Sequence, residues 1–433
     1  MTILATDGDV AVVVDPQRDI DRVLELVGRE GIRVTHVAET HLHNDYVTGG
    51  LALAQATGAT YLVPAGDQVT FDREPVADGD VITVGSELAL RVIATPGHTF
   101  NHVSYAMESA VFTGGSLLYG SVGRTDLVGA ENAGLLARAQ HASVRKLADL
   151  LPADAAVYPT HGFGSFCAAT PASGSSSTIA AEAAVNPALT KDEDTFVAEL
   201  LRGLGDYPAY YAHMAGLNAD GPGAPDLTSP VSPVDVTELT RRIKAGAWVV
   251  DLRHRTAFAA GHLAGSLNFG VDGPMVSYLG WLIPWGAPPT LIGTLDQVAA
   301  ARRELARIGI DRLAGAAPAD DPAIETGASF PVGSFAGLAA ALTRDPAPVI
   351  LDVRARGEWD TARIAGAVHI PLPELPARIA AGLPDGEIWV HCAGGYRASI
   401  AASLLAAAGR DVVAVEDSFE PAAELARLPV IRN

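Results

Sequence analysis

The stretch His391-Cys392-Ala393-Gly394-Gly395-Tyr396-Arg397-Ala398-Ser399 lies near the end of a 433-residue chain. An apolar strand (Ile388, Trp389, Val390) runs into it, and a small-residue helix, Ser399 to Ala408, runs out of it. A glycine-rich turn between strand and helix points successive backbone N–H groups at one place, and this makes an anion cradle. The same positive end favours the thiolate form of a cysteine. With only two cysteines in the chain, Cys392 reads as a nucleophilic sulfur inside an oxyanion-binding loop. The competing reading is a buried cysteine packed as a small hydrophobe.

Cysteine phosphatases space their loop Cys-x5-Arg, whereas Cys392 and Arg397 are spaced Cys-x4-Arg. The shorter loop is a tighter cradle, better matched to a sulfane sulfur than to a tetrahedral phosphate. The loop resembles that of the rhodanese sulfurtransferases. Upstream, Val349-Ile350-Leu351-Asp352-Val353-Arg354 resembles the first strand and Asp-x-Arg of that family, and Arg356 to Trp359 and Ile364-Ala365-Gly366-Ala367 its next helix and turn. The resemblance implies Cys392 as the catalytic sulfur carrier and Arg397 as added positive charge. Ala393, Gly394, Gly395 and Tyr396 then form the substrate-binding loop. The family's usual Gly-His is replaced by Ala362-Arg363.

Composition bounds the rest. Length predicts two to four domains. Hydrophobic residues make up 48%, yet no apolar run approaches the length of a membrane span. The net charge of −20 argues against nucleic acid or an anionic membrane as partners. Two widely separated cysteines suit a reducing compartment, and Met1-Thr2-Ile3-Leu4 shows no export signal, so a cytoplasmic location is expected.

Along the chain, residues 8–14 read as a strand, 19–30 as an amphipathic helix stopped by Gly31, and 33–38 as the next strand. Short strands follow at 81–84 and 88–94, a loop at 169–178 and a helical region at 192–217. Pro and Gly between 219 and 233 mark a domain boundary. Trp248-Val249-Val250-Asp251-Leu252-Arg253 and the following Phe258 to Asn268 repeat the order strand, Asp-x-Arg, helix, glycine turn found in the last unit. In this copy the position of the cysteine loop falls near Thr290-Leu291-Ile292-Gly293-Thr294, without a cysteine, so it resembles an inactive rhodanese.

The segment Thr40-His41-Leu42-His43-Asn44-Asp45-Tyr46 resembles the His-x-His-x-Asp-His signature of the metallo-β-lactamase fold. Two imidazoles at i and i+2 in a loop leaving a strand can converge on one ion. Pro96-Gly97-His98-Thr99 and Pro159-Thr160-His161-Gly162 add two more histidines after strands. Two departures stand out: Tyr46 replaces the last histidine of the signature, and Gly115 replaces the carboxylate expected after Phe112-Thr113-Gly114. The surviving donors are His41, His43 and His98, enough for one divalent ion, iron or zinc. Asp45 and His161 are expected beside it as supporting or substitute ligands. Gly123-Arg124-Thr125-Asp126 resembles a segment of the persulfide dioxygenases, which implies substrate contact by Arg124. His161 to Cys167 resembles a segment seen when this fold is fused to rhodaneses, and Cys167 is a candidate sulfur relay.

The whole order resembles the persulfide dioxygenase–rhodanese fusion family. It implies an α/β chain: a metallo-β-lactamase αββα sandwich over 1–225, an inactive rhodanese-like domain over 234–315 and an active one over 330–433. Relative to that family the N-terminus starts one strand late, as a misassigned start codon would produce. The expected sulfur donor is thiosulfate or a low-molecular-weight persulfide, with a thiol or sulfite as acceptor, and the resemblance implies a metal domain that makes or uses such a persulfide, of glutathione, coenzyme A or bacillithiol, oxidising it to sulfite; a homo-oligomer is left open. Two alternatives exist for the metal domain: a mononuclear hydrolase of a thioester-like bond, or a non-catalytic scaffold.

Overall fold

The strand Val10–Val14 is wholly buried because it has apolar layers on both sides. Side chains alternate across a strand, so Val10, Val12 and Val14 meet Leu90, Val92, Tyr105 and Phe112 of a second sheet. Val13 points the other way, onto Val27 and Leu53 of two helices, Asp21–Glu30 and Gly50–Thr57. The computed structural model describes residues 2–86, 88–161, 166–169, 174–325 and 327–432. Within them the chain divides into two compact units, one of residues 1–226 with 306–309, the other of 227–305 with 310–433.

In the first unit, one sheet orders Ile3–Thr6, Val10–Val14, Arg33–Ala38, Thr60–Pro64 and Glu74–Val76. The other orders Ser177–Thr178, Ala156–Pro159, Ala110–Gly114, Val103–Ala106, Leu88–Ala94 and Val81–Val84. Helix Ala133–Leu150 covers the outer face of this second sheet through Ala137, Val144 and Leu147. The layers are therefore α, β, β, α, as the sequence predicts. The strands at 33–38, 81–84 and 88–94 have their expected bounds. The first helix stops at Gly31, which adopts the left-handed conformation (φ 70°) that glycine tolerates.

Three local expectations change. The strand expected from residue 8 starts at Val10, because Asp7 Oδ1 accepts from the N–H groups of Asp9 and Val10 and holds a turn there. The region 192–217 is two helices, Glu193–Gly203 and Tyr211–Asp220, separated around Pro208, which lacks an N–H. In the 169–178 loop, Ser177–Thr178 pairs with Ala156 and Val157, while 170–173 lie outside the described residues.

The second unit holds two parallel sheets of one topology. The first orders Leu267–Asn268, Val249–Asp251, Thr290–Ile292 and Gly315–Ala317. The second orders Val368–His369, Val349–Asp352, Ile388–His391, Val412–Val415 and Val332–Gly333. Asp251 is in register with Ile292, and Asp352 with His391. The next residue is Gly293 in one sheet and Cys392 in the other, so glycine stands where the duplicated unit carries its sulfur. The Asp-x-Arg pairs repeat too: Arg253 Nη2 donates to Asp251 Oδ2 and Arg354 Nη2 to Asp352 Oδ2, both at 2.6 Å. No helix among the described residues is long and apolar enough to cross a membrane.

Candidate functional site

In the first unit, four imidazoles follow the C-terminal ends of three strands: His41 and His43 after Arg33–Ala38, His98 after Leu88–Ala94, His161 after Ala156–Pro159. All four are buried. Ring centroids lie 4.2 Å apart for His41 and His43, 4.9 Å for His41 and His98, and 5.3 Å for His98 and His161.

Each ring has one nitrogen engaged outward. The His98 Nδ1–H donates to the Arg124 carbonyl at 2.7 Å, since a carbonyl can only accept. His161 Nδ1 faces Asp45 Oδ2 at 3.1 Å. Thr40 Oγ1 donates to Asp15 Oδ2 at 2.8 Å, so it accepts from His41 Nδ1, also at 2.8 Å. His43 Nε2 faces Glu39 Oε2 at 3.1 Å and Asp15 Oδ1 at 3.2 Å. The remaining nitrogens are His41 Nε2, His43 Nδ1, His98 Nε2 and His161 Nε2. They are buried without a hydrogen-bond partner among the described residues, as is Asp45 Oδ1. A buried ring with one nitrogen donating outward presents its other lone pair inward, which is how ligating histidines are set. These residues fit a metal ion.

The convergence differs in one respect from the expected set. One ligand atom each of His41, His43 and His161 lies within 4.8 Å of the others, and His98, His161 and Cys167 form a second such group. His161, expected at the margin, is common to both. Asp45 backs His161 through Oδ2 and keeps Oδ1 available.

Electrostatics follow from this burial. Desolvation, reinforced by the neighbouring imidazole of His161, pushes His98 down to about 3. Desolvation pushes His43 down as well, but the Asp15 and Glu39 carboxylates outweigh it and hold the ring well above the usual histidine range, so an ion at its Nδ1 takes the place of a proton. Asp15 sits at positive φ (49°) and ties the site together, accepting from Thr40 N–H at 2.7 Å and from the Thr160 hydroxyl. Tyr46 packs on His43: its ring stacks on that imidazole, and its hydroxyl lies 2.9 Å from His43 Nε2 and donates to the Asp15 carbonyl at 3.3 Å. At Gly115, an added Cβ would stand 2.2 Å from His98 Cδ2. The His98 ring therefore occupies the space that a side chain there would need.

His102 escaped the sequence reading. It is buried, stacked on His41 at 4.9 Å, with Nδ1 against Thr95 Oγ1 (2.8 Å) and Nε2 accepting from Gly115 N–H (3.0 Å). Both nitrogens are committed, so it braces the cavity wall; its spacing of four from His98 was the available signal. Arg124 is a brace as well. Its guanidinium is 3% exposed and donates to Asp126 twice at 2.7 Å, to the Phe166 carbonyl at 3.1 Å and to the Gly205 carbonyl at 2.7 Å. Cys167 is buried with Sγ 3.8 Å from Tyr211 Oη, and burial, with Asp45 nearby, pushes its thiol well up.

In the second unit, Cys392 follows the strand Ile388–His391 and is itself buried, while Ala393 and Gly394 form an exposed loop tip. Gly395 takes φ 90° and caps the helix Tyr396–Ala407. The first amides of a helix have no partner within it, so they face the loop that holds Cys392. Arg397 is fixed by Glu358, with Nη1–Oε2 at 2.5 Å and Nη2–Oε1 at 2.8 Å. The Tyr396 side chain is engaged elsewhere: its hydroxyl donates to the Gly270 carbonyl at 2.8 Å. Behind the loop, Arg255 Nε donates to Glu416 Oε2 at 2.7 Å, and a Cβ on Gly395 would stand 2.5 Å from that same oxygen. Residues of the cysteine-free repeat thus support the loop of the other.

Residues 1–161 match the Metallo-beta-lactamase superfamily and residues 335–423 the Rhodanese-like domain. Persulfide dioxygenase ETHE1, mitochondrial, of Homo sapiens is 31% identical over 191 residues, 43% of this chain and 69% of that protein. The chain belongs to the persulfide dioxygenase–rhodanese fusion family. Among solved structures, a metallo-beta-lactamase from Staphylococcus aureus subsp. aureus COL aligns with a TM-score of 0.65 at 26% identity, covering 73% of this chain and 94% of that one. A hydroxyacylglutathione hydrolase of Methylobacillus flagellatus is 38% identical over 115 residues, 26% of this chain. The chain spans about half the length of that relative (46%).

Proposed function

We propose that this family member moves sulfane sulfur through Cys392. The thiolate attacks the outer sulfur of thiosulfate or of a low-molecular-weight persulfide. The S–S bond of the donor breaks, and sulfite or a thiolate leaves with the electron pair. Cys392 then carries the sulfur as a persulfide, and an acceptor thiolate or sulfite attacks the outer atom and releases Cys392 as thiolate. The helix amides that follow Gly395 stabilise the departing anion, and Arg397 lends directed N–H groups while Glu358 holds it in place. The observation that carries this reading is the placement of Cys392 at a strand end against the N-terminus of Tyr396–Ala407. Thiosulfate:cyanide sulfurtransfer tests it: activity is expected in the wild type and its loss in Cys392→Ala.

For the metal domain, the reading is one divalent ion, iron or zinc, among His41, His43, His98 and His161. Such an ion supplies Lewis-acid chemistry and, as iron, oxygen chemistry toward a small sulfur compound. With glycine at 115 the site lacks the carboxylate expected there, so persulfide oxidation to sulfite is expected to be weak. The likeness to hydroxyacylglutathione hydrolase favours a second reading, hydrolysis of a thioester-like bond. Sulfite release with oxygen uptake supports the first, and thiol release without oxygen uptake the second. Elemental analysis should find one metal per chain; two would overturn the mononuclear reading. Small sulfur compounds in the cytoplasm are the proposed partners, and a net charge of −20 disfavours nucleic acid.

A further inference from the structure

We propose that Cys167 is a metal ligand, and that His98, His161 and Cys167 form a second, softer ligand set in the same cavity, an alternative to the imidazoles of His41, His43 and His161. The inference rests on the metal-site reading above and concerns which atoms complete it. The Cys167 sulfur and one nitrogen each of His98 and His161 lie within 4.8 Å of one another, and all three side chains are buried.

The two rings are already oriented for this. Their Nδ1 atoms are engaged by the Arg124 carbonyl and Asp45 Oδ2, which leaves both Nε2 atoms unpartnered in the interior. One residue fixes two of the three donors: Arg124 accepts from His98 through its carbonyl and donates its own N–H to the Cys167 carbonyl at 2.8 Å. An antiparallel bridge between Gly123 and Ala168 holds the two segments side by side.

Charge gives the set its purpose. Gly115 supplies no anion, and imidazoles are neutral ligands. A thiolate at Cys167 supplies an anionic ligand atom beside the Asp45 carboxylate that backs His161. His161 belongs to both groups, and its one unpartnered nitrogen, Nε2, has a single lone pair, so the two sets exclude each other and the count stays at one ion per chain. Thiolate with two imidazoles selects zinc or copper(I) over iron(II). Ligation also excludes relay: while Cys167 binds an ion it cannot carry sulfur.

The test uses the full-length chain as Cys392→Ala, in which Cys167 is the sole cysteine. Loaded with zinc, its X-ray absorption fine structure should show a sulfur scatterer at about 2.3 Å. Loaded with cobalt(II), it should show a thiolate-to-metal charge-transfer band that is absent in Cys167→Ser, whose cobalt affinity should fall at least about tenfold. One ion per chain with only nitrogen and oxygen scatterers would overturn this inference and leave the imidazole site standing. Failure to take up either metal would overturn the metal-site reading and this inference with it. The fine-structure measurement needs no change at residue 167, so it decides even if Cys167→Ser fails to fold.

Discussion

Arg397 and Glu358 face each other through two hydrogen bonds, at 2.5 and 2.8 Å, from the Cys392 loop to the helix Arg356–Thr361. Burial alone would raise the Glu358 carboxyl, but the Arg397 guanidinium outweighs it and holds the carboxyl below its ordinary value. The arginine of the Cys-x4-Arg loop is therefore a neutralised, anchored group. Its contribution lies more in directed N–H groups than in net positive charge.

Glu358→Ala releases that anchor. kcat/KM for thiosulfate should fall at least about tenfold, or ~1.4 kcal/mol of transition-state stabilisation. Unchanged steady-state kinetics would show that Arg397 needs no anchor.

Tyr396→Phe removes the hydroxyl that donates to Gly270 O. A carbonyl left unpaired in a part-buried contact should lower stability by about 1 kcal/mol, read as a shift in urea midpoint at constant slope. An unaltered midpoint would mean that water takes over the bond.

His391, the residue before Cys392, is buried in an aromatic setting against Phe335 and Phe419. Burial pushes it from 6.5 down to about 4. The unfolded chain takes up this proton below about pH 6.5, the folded chain only below about 4. Between those values the unfolded state binds more protons, so stability falls as pH drops through the window. The full effect is on the order of 3 kcal/mol. Denaturant midpoints at pH 7.5 and 4.5 should therefore differ more for wild type than for His391→Phe, and equal losses would count against the assignment.

Much of this was legible in residues. Asp-x-Arg recurs in both repeats because the pair closes a turn at a strand end, and the structure repeats that geometry at 251–253 and 352–354. Strand 33–38 and the histidines after it were readable because the motif is local. What was not readable depends on contacts distant in sequence. Nothing local told that His161 would be shared by two donor groups, that Arg124 would be consumed by Asp126 and carbonyls, or that His98 would fill the space beside Gly115. The role of Tyr396 was hidden for the same reason, since its acceptor, Gly270, lies in another repeat.

Gly115→Asp tests the tightest of these contacts. Sequence alone suggests that the carboxylate should raise iron affinity. In the structure a Cβ at 115 would stand 2.2 Å from His98 Cδ2, so the ring must move before a carboxylate can reach an ion. The metal-free variant should lose about 1–3 kcal/mol of stability, as overpacked sites do. Chemical denaturation of the metal-free protein measures this, and a variant as stable as wild type would show that His98 gives way freely.

The most direct measurement concerns Cys392 itself. The full chain is incubated with thiosulfate, digested without reductant, and its cysteine peptides are weighed. The expected result is the mass of one added sulfur on the peptide carrying Cys392, removed by cyanide with release of thiocyanate. No added sulfur on that peptide, or undiminished thiocyanate formation by Cys392→Ala, would contradict the assignment of Cys392 as the sulfur carrier.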